Sequence, residues 1–247
     1  MRIIFSRKGF DSSAGGGPSP IVLRSDGAYR PISLPIPDSK GASSTTYDDL
    51  GLGDHAAKAS RGRLSGADLC HNDPMYLECG TCAFGQCGAA QTHLERQGVG
   101  VGDVFVFFGL FADAKTGEPH HRIFGYLRAE QVVHLTKGVP QELIDLAHPH
   151  AIAMHASNDT VWRGEGQVAA RATDALRLTI PGGPPSIWRR PAWLKHGGLS
   201  YHDRADRWLP GGRLQSVARG QEFVADVGRR KAPRDWLAQV IAEIKAP

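Results

Sequence analysis

At 247 residues and 26.6 kDa the chain can bury a sizeable core, as one large domain or two small ones. Its 41% apolar and 22% charged residues exclude disordered and fibrous classes, and no apolar run reaches the length of a membrane span. The net charge of +4 permits an acidic partner such as nucleic acid without demanding one. Arg7 and Lys8 interrupt the N-terminus before any secretory-type apolar stretch can form, so a cytoplasmic protein is expected.

Residues 2–5 form a short apolar run that predicts a strand, and it opens into a basic, glycine-rich loop, Ser6-Arg7-Lys8-Gly9-Phe10-Asp11, followed by Gly15-Gly16-Gly17-Pro18. Two cations and three approachable backbone amides suit an anion such as phosphate. This is no P-loop, since neither Gly-Lys-Ser/Thr nor a helical pattern follows. A basic turn leading into a mobile loop accounts for the same residues equally well. Residues 32–37 are extended, because positions before proline avoid the helical region. Residues 40–66 lack apolar periodicity and predict a flexible excursion partly folded over the site.

Cys70, Cys79, Cys82 and Cys87 fall close together in sequence. Cys79 and Cys82 have a chelating spacing, which Cys70, His71 or Cys87 could complete to four zinc ligands. The overall spacing is not that of paired knuckles, and buried thiols explain it as well. No bound zinc is therefore expected. Residues 68–74 are turn-rich and carry His71 and Asp73. A helix follows at 88–97, with Ala90 and Leu94 on one face and Gly98 at its end.

Residues 104–111 are apolar on both faces and predict a central strand. A hairpin through 113–119 returns along 122–128, and 132–135 continue the meander. His120 and His121 are assigned to a solvated hairpin end. A short helix is expected at 140–147, with strands at 150–156 and 175–180. His148 and His150 could ligate metal only if a third group approached, and structural roles are expected of His71 and His93. Trp188 and Trp193 flank Arg189-Arg190. Residues 216–227 predict a strand interrupted at Gly220. The chain closes with an amphipathic helix at 233–245, whose stripe of Trp236, Leu237, Val240, Ile241 and Ile244 belongs to the core.

The remaining polar residues sit on short segments bounded by strand or turn signals, as side chains converging on one cleft would. Ser6, Arg7, Lys8 and Asp11 end the first strand, Gln86 and Gln91 flank the start of a helix, and Arg219, Gln221 and Glu222 lie on the late strand. Together they form a nucleotide-recognition set of cations, amides able to read a base edge, and a carboxylate. Alternation places Glu222 opposite Phe223 and Ala225, which makes it the candidate general base or stabiliser of a developing oxocarbenium ion, supported by Gln221 and Arg219. An internal ion pair of Arg7 with Asp11 or Glu222 competes with that role.

Five ordered motifs carry a resemblance that spans essentially the whole chain. They are Ser6-Arg7-Lys8-Gly9-Phe10-Asp11 with Gly16-Gly17-Pro18-Ser19-Pro20-Ile21, then Phe84-Gly85-Gln86-Cys87-Gly88-Ala89-Ala90-Gln91-Thr92-His93-Leu94, Gly102-Asp103-Val104-Phe105, Ile123-Phe124-Gly125-Tyr126-Leu127, and Ala218-Arg219-Gly220-Gln221-Glu222-Phe223-Val224. The chain resembles the third of the nucleotide-modification-associated domain families, known from phage and bacterial DNA-modification gene neighbourhoods. The resemblance implies a role in base or nucleotide modification and adds Gly16, Gly17 and Ser19 to the ligand-binding candidates. Cys70, Cys79 and Cys82 are not part of the family's pattern, which weighs further against zinc. Arginine on the first strand with Gln-Glu on a late one also loosely resembles NAD-using ADP-ribosyltransferases. A different reading is a non-catalytic reader of modified DNA or RNA, built as a PUA-like partial barrel, with Trp188, Trp193 and Arg189-Arg190 supplying stacking and phosphate contacts.

The expectation is one α+β domain over residues 1–247: a curved, mainly antiparallel sheet, a few short helices and a C-terminal helix. Its partner is a nucleotide or nucleic acid, and its chemistry is N-glycosidic or group transfer. No metal is expected, and the sequence points to no cofactor.

Overall fold

The computed structural model describes residues 1–38, 41–218 and 222–247. The apolar run at the N-terminus forms β1 (Arg2–Arg7), and its fully buried stretch from Ile3 to Ser6 lies inside a seven-stranded sheet. The other strands of that sheet are β2 (Met75–Tyr76), β3 (Thr81–Gln86), β4 (Val104–Ala112), β5 (Pro119–His134), β6 (Thr160–Val168) and β7 (Glu222–Asp226). Five helices accompany the strands among the described residues: α1 (Gly53–Ala59), α2 (Gly88–Arg96), α3 (Gln141–Asp145), α4 (Pro149–Ile152) and α5 (Lys231–Lys245).

The strand order is β7-β1-β4-β5-β6-β3-β2. β1 pairs in parallel with β4, and every other neighbouring pair is antiparallel. The fold is α+β with a mainly antiparallel sheet. That sheet stays open at β7 and β2 and does not close into a barrel.

β4 is apolar on both faces because both faces are covered. Val104, Val106 and Phe108 share a cluster with Leu237, Val240, Ile241 and Ile244 of α5. Phe105, Phe107 and Phe111 lie on the other side, with Leu94 of α2. Each such side chain taken from water contributes roughly 1.5–3 kcal/mol before the cost of ordering it. The stripe expected on the last helix is core, with Ile244 fully buried.

Several expected elements take another form. Residues 150–156 are not a strand: Pro149 starts α4, with the His148 ring accepting from the His150 N–H at its N-terminus. Proline at a first helical position is pre-set for a helix, and that local effect outweighs the apolar run. Residues 175–180 form a short turn of 3₁₀ helix followed by extended chain with isolated bridges at Arg177 and Thr179. Residues 132–135 do not form a separate strand, since β5 runs unbroken from Pro119 to His134. His120 and His121 pair with Phe111 and Leu110 inside that hairpin, and His120 is buried, so they are not a solvated end. In the late segment the strand begins at Glu222, and Gly220 lies outside the described residues. The excursion contains α1 and an apolar cluster of its own, where Tyr47 and Ala56 meet Phe10, Leu34 and Cys70.

Candidate active-site cleft

The C-terminal ends of β1 and β3 meet the start of β7, and the pairing of Ser6 with Glu222 fixes which side chains converge there. Alternation puts Ser6, Lys8 and Glu222 on one side of the strands. Phe223 and Ala225 face the other side, in the α5 core. Glu222 is buried, and its Oε1 accepts from Ser6 Oγ at 3.0 Å, Lys8 Nζ at 3.1 Å and Gln86 Nε2 at 2.8 Å. Its Oε2 is equally buried and has no hydrogen-bond partner among the described residues. The Lys8 ammonium also sits 4.3 Å from the centre of the Phe84 ring, a cation–π contact that holds the long side chain in place.

Lys8 and Gln86 form part of the wall of a cleft of about 520 Å³, together with His71, Asp73, His150 and His155. His71 and His155 approach through their Nε2 atoms at 3.3 Å, and the rings of His150 and His155 stack at 4.2 Å. Asp159 underlies this group. One of its oxygens meets His150 Nδ1, while the other accepts the His155 N–H at 2.7 Å and lies 3.6 Å from His155 Nδ1. Asp73 accepts the Gly85 N–H at 2.9 Å and stands 3.7–3.8 Å from the Nε2 atoms of His148 and His150. Gly85 is the residue type that this crowding requires, because a Cβ there would lie 2.2 Å from the His150 ring.

Burial dominates the electrostatics. It pushes His71 down to about 3, with His150 and His155 adding to the shift, and it lowers His148 to about 3 in the same way. It raises Asp73 to about 6 against the pull of His150, Lys8 and the Gly85 amide. For Asp159 burial acts upward, but the hydrogen bond and charge of His150 and the His155 N–H outweigh it, leaving the carboxyl below its ordinary range.

The predicted site residues divide into three sets. Ser6, Lys8, Gln86 and Glu222 are brought together. Arg7 and Asp11 also border the cleft, yet both are engaged locally. Arg7 points to the opposite side of β1, donates to the carbonyls of Val217 and Ala218 at 2.7 Å, and lies 5.7 Å from the Phe108 and Phe223 rings. The ion pair at this corner is Lys8 with Glu222 rather than Arg7 with Asp11 or Glu222. Asp11 Oδ1 accepts the N–H groups of Ser13 and Ala14. Gly16 packs against Arg63 and Gly17 against the Ala59 carbonyl, so these glycines approach protein. Ser19 is buried, where its Oγ accepts the Leu34 N–H, and Gln91 bonds Glu95 along α2. Arg219 and Gln221 lie outside the described residues.

The thiols do not converge. Cys70 and Cys82 are buried in separate clusters, Cys79 is exposed and Cys87 stands at the start of α2. Trp188 is buried in the α5 core, and Trp193 packs on Trp236. His155 and Asp159 were missed by sequence reasoning. The signal was there, in the density of His148, His150, His155 and Asp159 along one short stretch.

Fold and site together define an open, mixed-sheet α+β protein with a histidine-rich cleft, lined by both cations and carboxylates, beside the parallel strand pair of its main sheet. The chain belongs to the family described as Nucleotide modification associated domain 3, whose model matches residues 2–226. No curated protein and no solved structure matches the chain. Among the described residues no helix is long and apolar enough to cross a membrane.

Proposed function

We propose that this protein is an enzyme acting on a nucleotide or nucleobase held in the cleft, by N-glycosidic or group-transfer chemistry that depends on Glu222. The observation that carries the reading is the asymmetry of that carboxylate. Three donors crowd Oε1 while Oε2 is buried and has no donor among the described residues. A buried oxygen left without a donor costs about 1–3 kcal/mol, and a group meant only to anchor Lys8 would have no need of that cost. Lys8 brings positive charge to the cleft wall, where a phosphate would meet it, and the Gln86 amide stands beside it. Glu222 is bonded to both from behind the cleft wall, and in this reading its charge stabilises positive charge that develops at a sugar carbon. The reader alternative is weakened because Trp188 is buried in the core and the half-buried Trp193 packs against it and Trp236 rather than standing free for stacking.

The test is turnover of nucleoside phosphates, NAD and modified or plain DNA, with released base or transferred group followed by mass spectrometry. Activity should appear in the parent and fall by about 100-fold or more in Glu222→Gln, the scale for a lost general base, while calorimetric ligand affinity persists. Full activity in Glu222→Gln would sink the assignment. A parent without turnover that binds modified DNA tightly is a reader.

A further inference from the structure

The structure assigns a second feature to the same cleft: we propose that His71, His150 and His155 bind one divalent first-row transition cation, zinc or a close analogue, with Asp159 as the carboxylate that orients the His150 ring and anchors the backbone of His155. The condition set by the sequence, a third group approaching the His148/His150 pair, is met for His150 and not for His148. His71 comes from the strand Cys70–His71, His150 from α4 and His155 from the loop beyond it. One nitrogen from each ring falls within 4.8 Å of the others.

Three observations support a metal at this cluster. The 3.3 Å between the Nε2 atoms of His71 and His155 matches the edge of about 3.4 Å that a tetrahedron with zinc–nitrogen bonds of about 2.0–2.1 Å requires. Asp159 takes the Nδ1 side of His150 and accepts the His155 backbone N–H, which holds both residues beside His71 and turns the His150 Nε2 edge toward the cluster. This carboxylate–histidine arrangement is the usual support of a metal-bound imidazole. All three histidines line the cleft, so a fourth position would face the space where a substrate sits. Sites with three protein ligands use that position for water or substrate. The inference stands on the histidines alone and does not depend on the role of Glu222.

Chelator-stripped full-length protein is dialysed against zinc and titrated with cobalt, with bound metal read by elemental analysis and visible absorption. One equivalent is expected in the parent. His71→Ala and His155→Ala should lose it with circular dichroism unchanged, Asp159→Asn should weaken it by about 10–100-fold, and Cys87→Ser should keep it. Cys87 is the control because its thiol forms a rival ligand group with His150 and Asp159. No stoichiometric zinc or cobalt in the parent overturns the proposal, as does loss in Cys87→Ser with retention in His71→Ala. Should the histidine variants misfold, the parent's cobalt spectrum decides. Nitrogen-only absorption supports the site, and a sulfur-to-metal charge-transfer band overturns it.

Discussion

At the scale of single residues, neighbouring positions at the end of β1 and just beyond it take opposite roles. Lys8 reaches the cleft wall and Glu222, whereas Arg7, one position earlier, turns to the other side and ties down the carbonyls of Val217 and Ala218. Both are basic residues in one motif, and only strand alternation separates them. A second residue-scale feature is His121, which burial pushes down to about 3, with Arg7 contributing. Its Nδ1 accepts the Trp188 indole N–H at 3.0 Å, and that bond requires the neutral ring. A depressed folded-state pKa means that the unfolded chain binds the proton first. The stabilisation is therefore whole above about pH 6.5 and is lost as pH falls toward 3, amounting to about 3–5 kcal/mol at the acid end. His121→Asn keeps an acceptor for Trp188 without a titrating ring. Denaturant titrations between pH 6.5 and 4 should show a pH slope shallower by up to about 1.4 kcal/mol per unit in this variant. An unchanged slope would assign the acid sensitivity elsewhere.

At the scale of elements, the cleft depends on how closely β3 and α4 approach. Gly85 makes that approach possible: an added Cβ would lie 2.2 Å from one His150 ring carbon and 2.5 Å from another. The ring cannot swing away cheaply, since its Nδ1 is held by Asp159. Gly85→Ala should cost about 1–3 kcal/mol, the usual range for overpacking. It should also displace His150, so histidine proton resonances as well as the melting temperature should move. A variant whose melting and His150 resonances match the parent would show that β3 and α4 have room to spare.

Across the whole molecule, α5 covers one side of the sheet, approaching β5 and β6, with Trp236 packed on Phe5 of β1. Leu237 is 3% exposed, in a cluster that includes Ile3 and Phe5 of β1 and Phe223 of β7. The helix therefore supports, from behind, the strands that carry Lys8 and Glu222. Leu237→Ala should cost about 2–5 kcal/mol in a single cooperative unfolding transition. Melting like the parent would make α5 an appended element rather than part of the core.

The sequence by itself determined what local pattern and covalent order dictate. Two-sided apolarity marked β4 as central, helical spacing marked the buried stripe of α5, and a strand running into Ser6-Arg7-Lys8 located one end of the cleft. Tertiary structure decided which distant groups meet. Lys8 and Glu222 are 214 positions apart and touch only because β1 and β7 pair in one register. His71 and His155 are 84 apart and meet only because Asp159 and α4 hold the later segment against the end of a short strand pair. Loop packing also set Gly16 against Arg63 and Gly17 against the end of α1, neighbours that their composition did not announce. The physical reason is common to all three cases. Hydrophobic periodicity is written in consecutive residues, whereas a site assembled across a sheet depends on register, and register is settled only when the whole core packs.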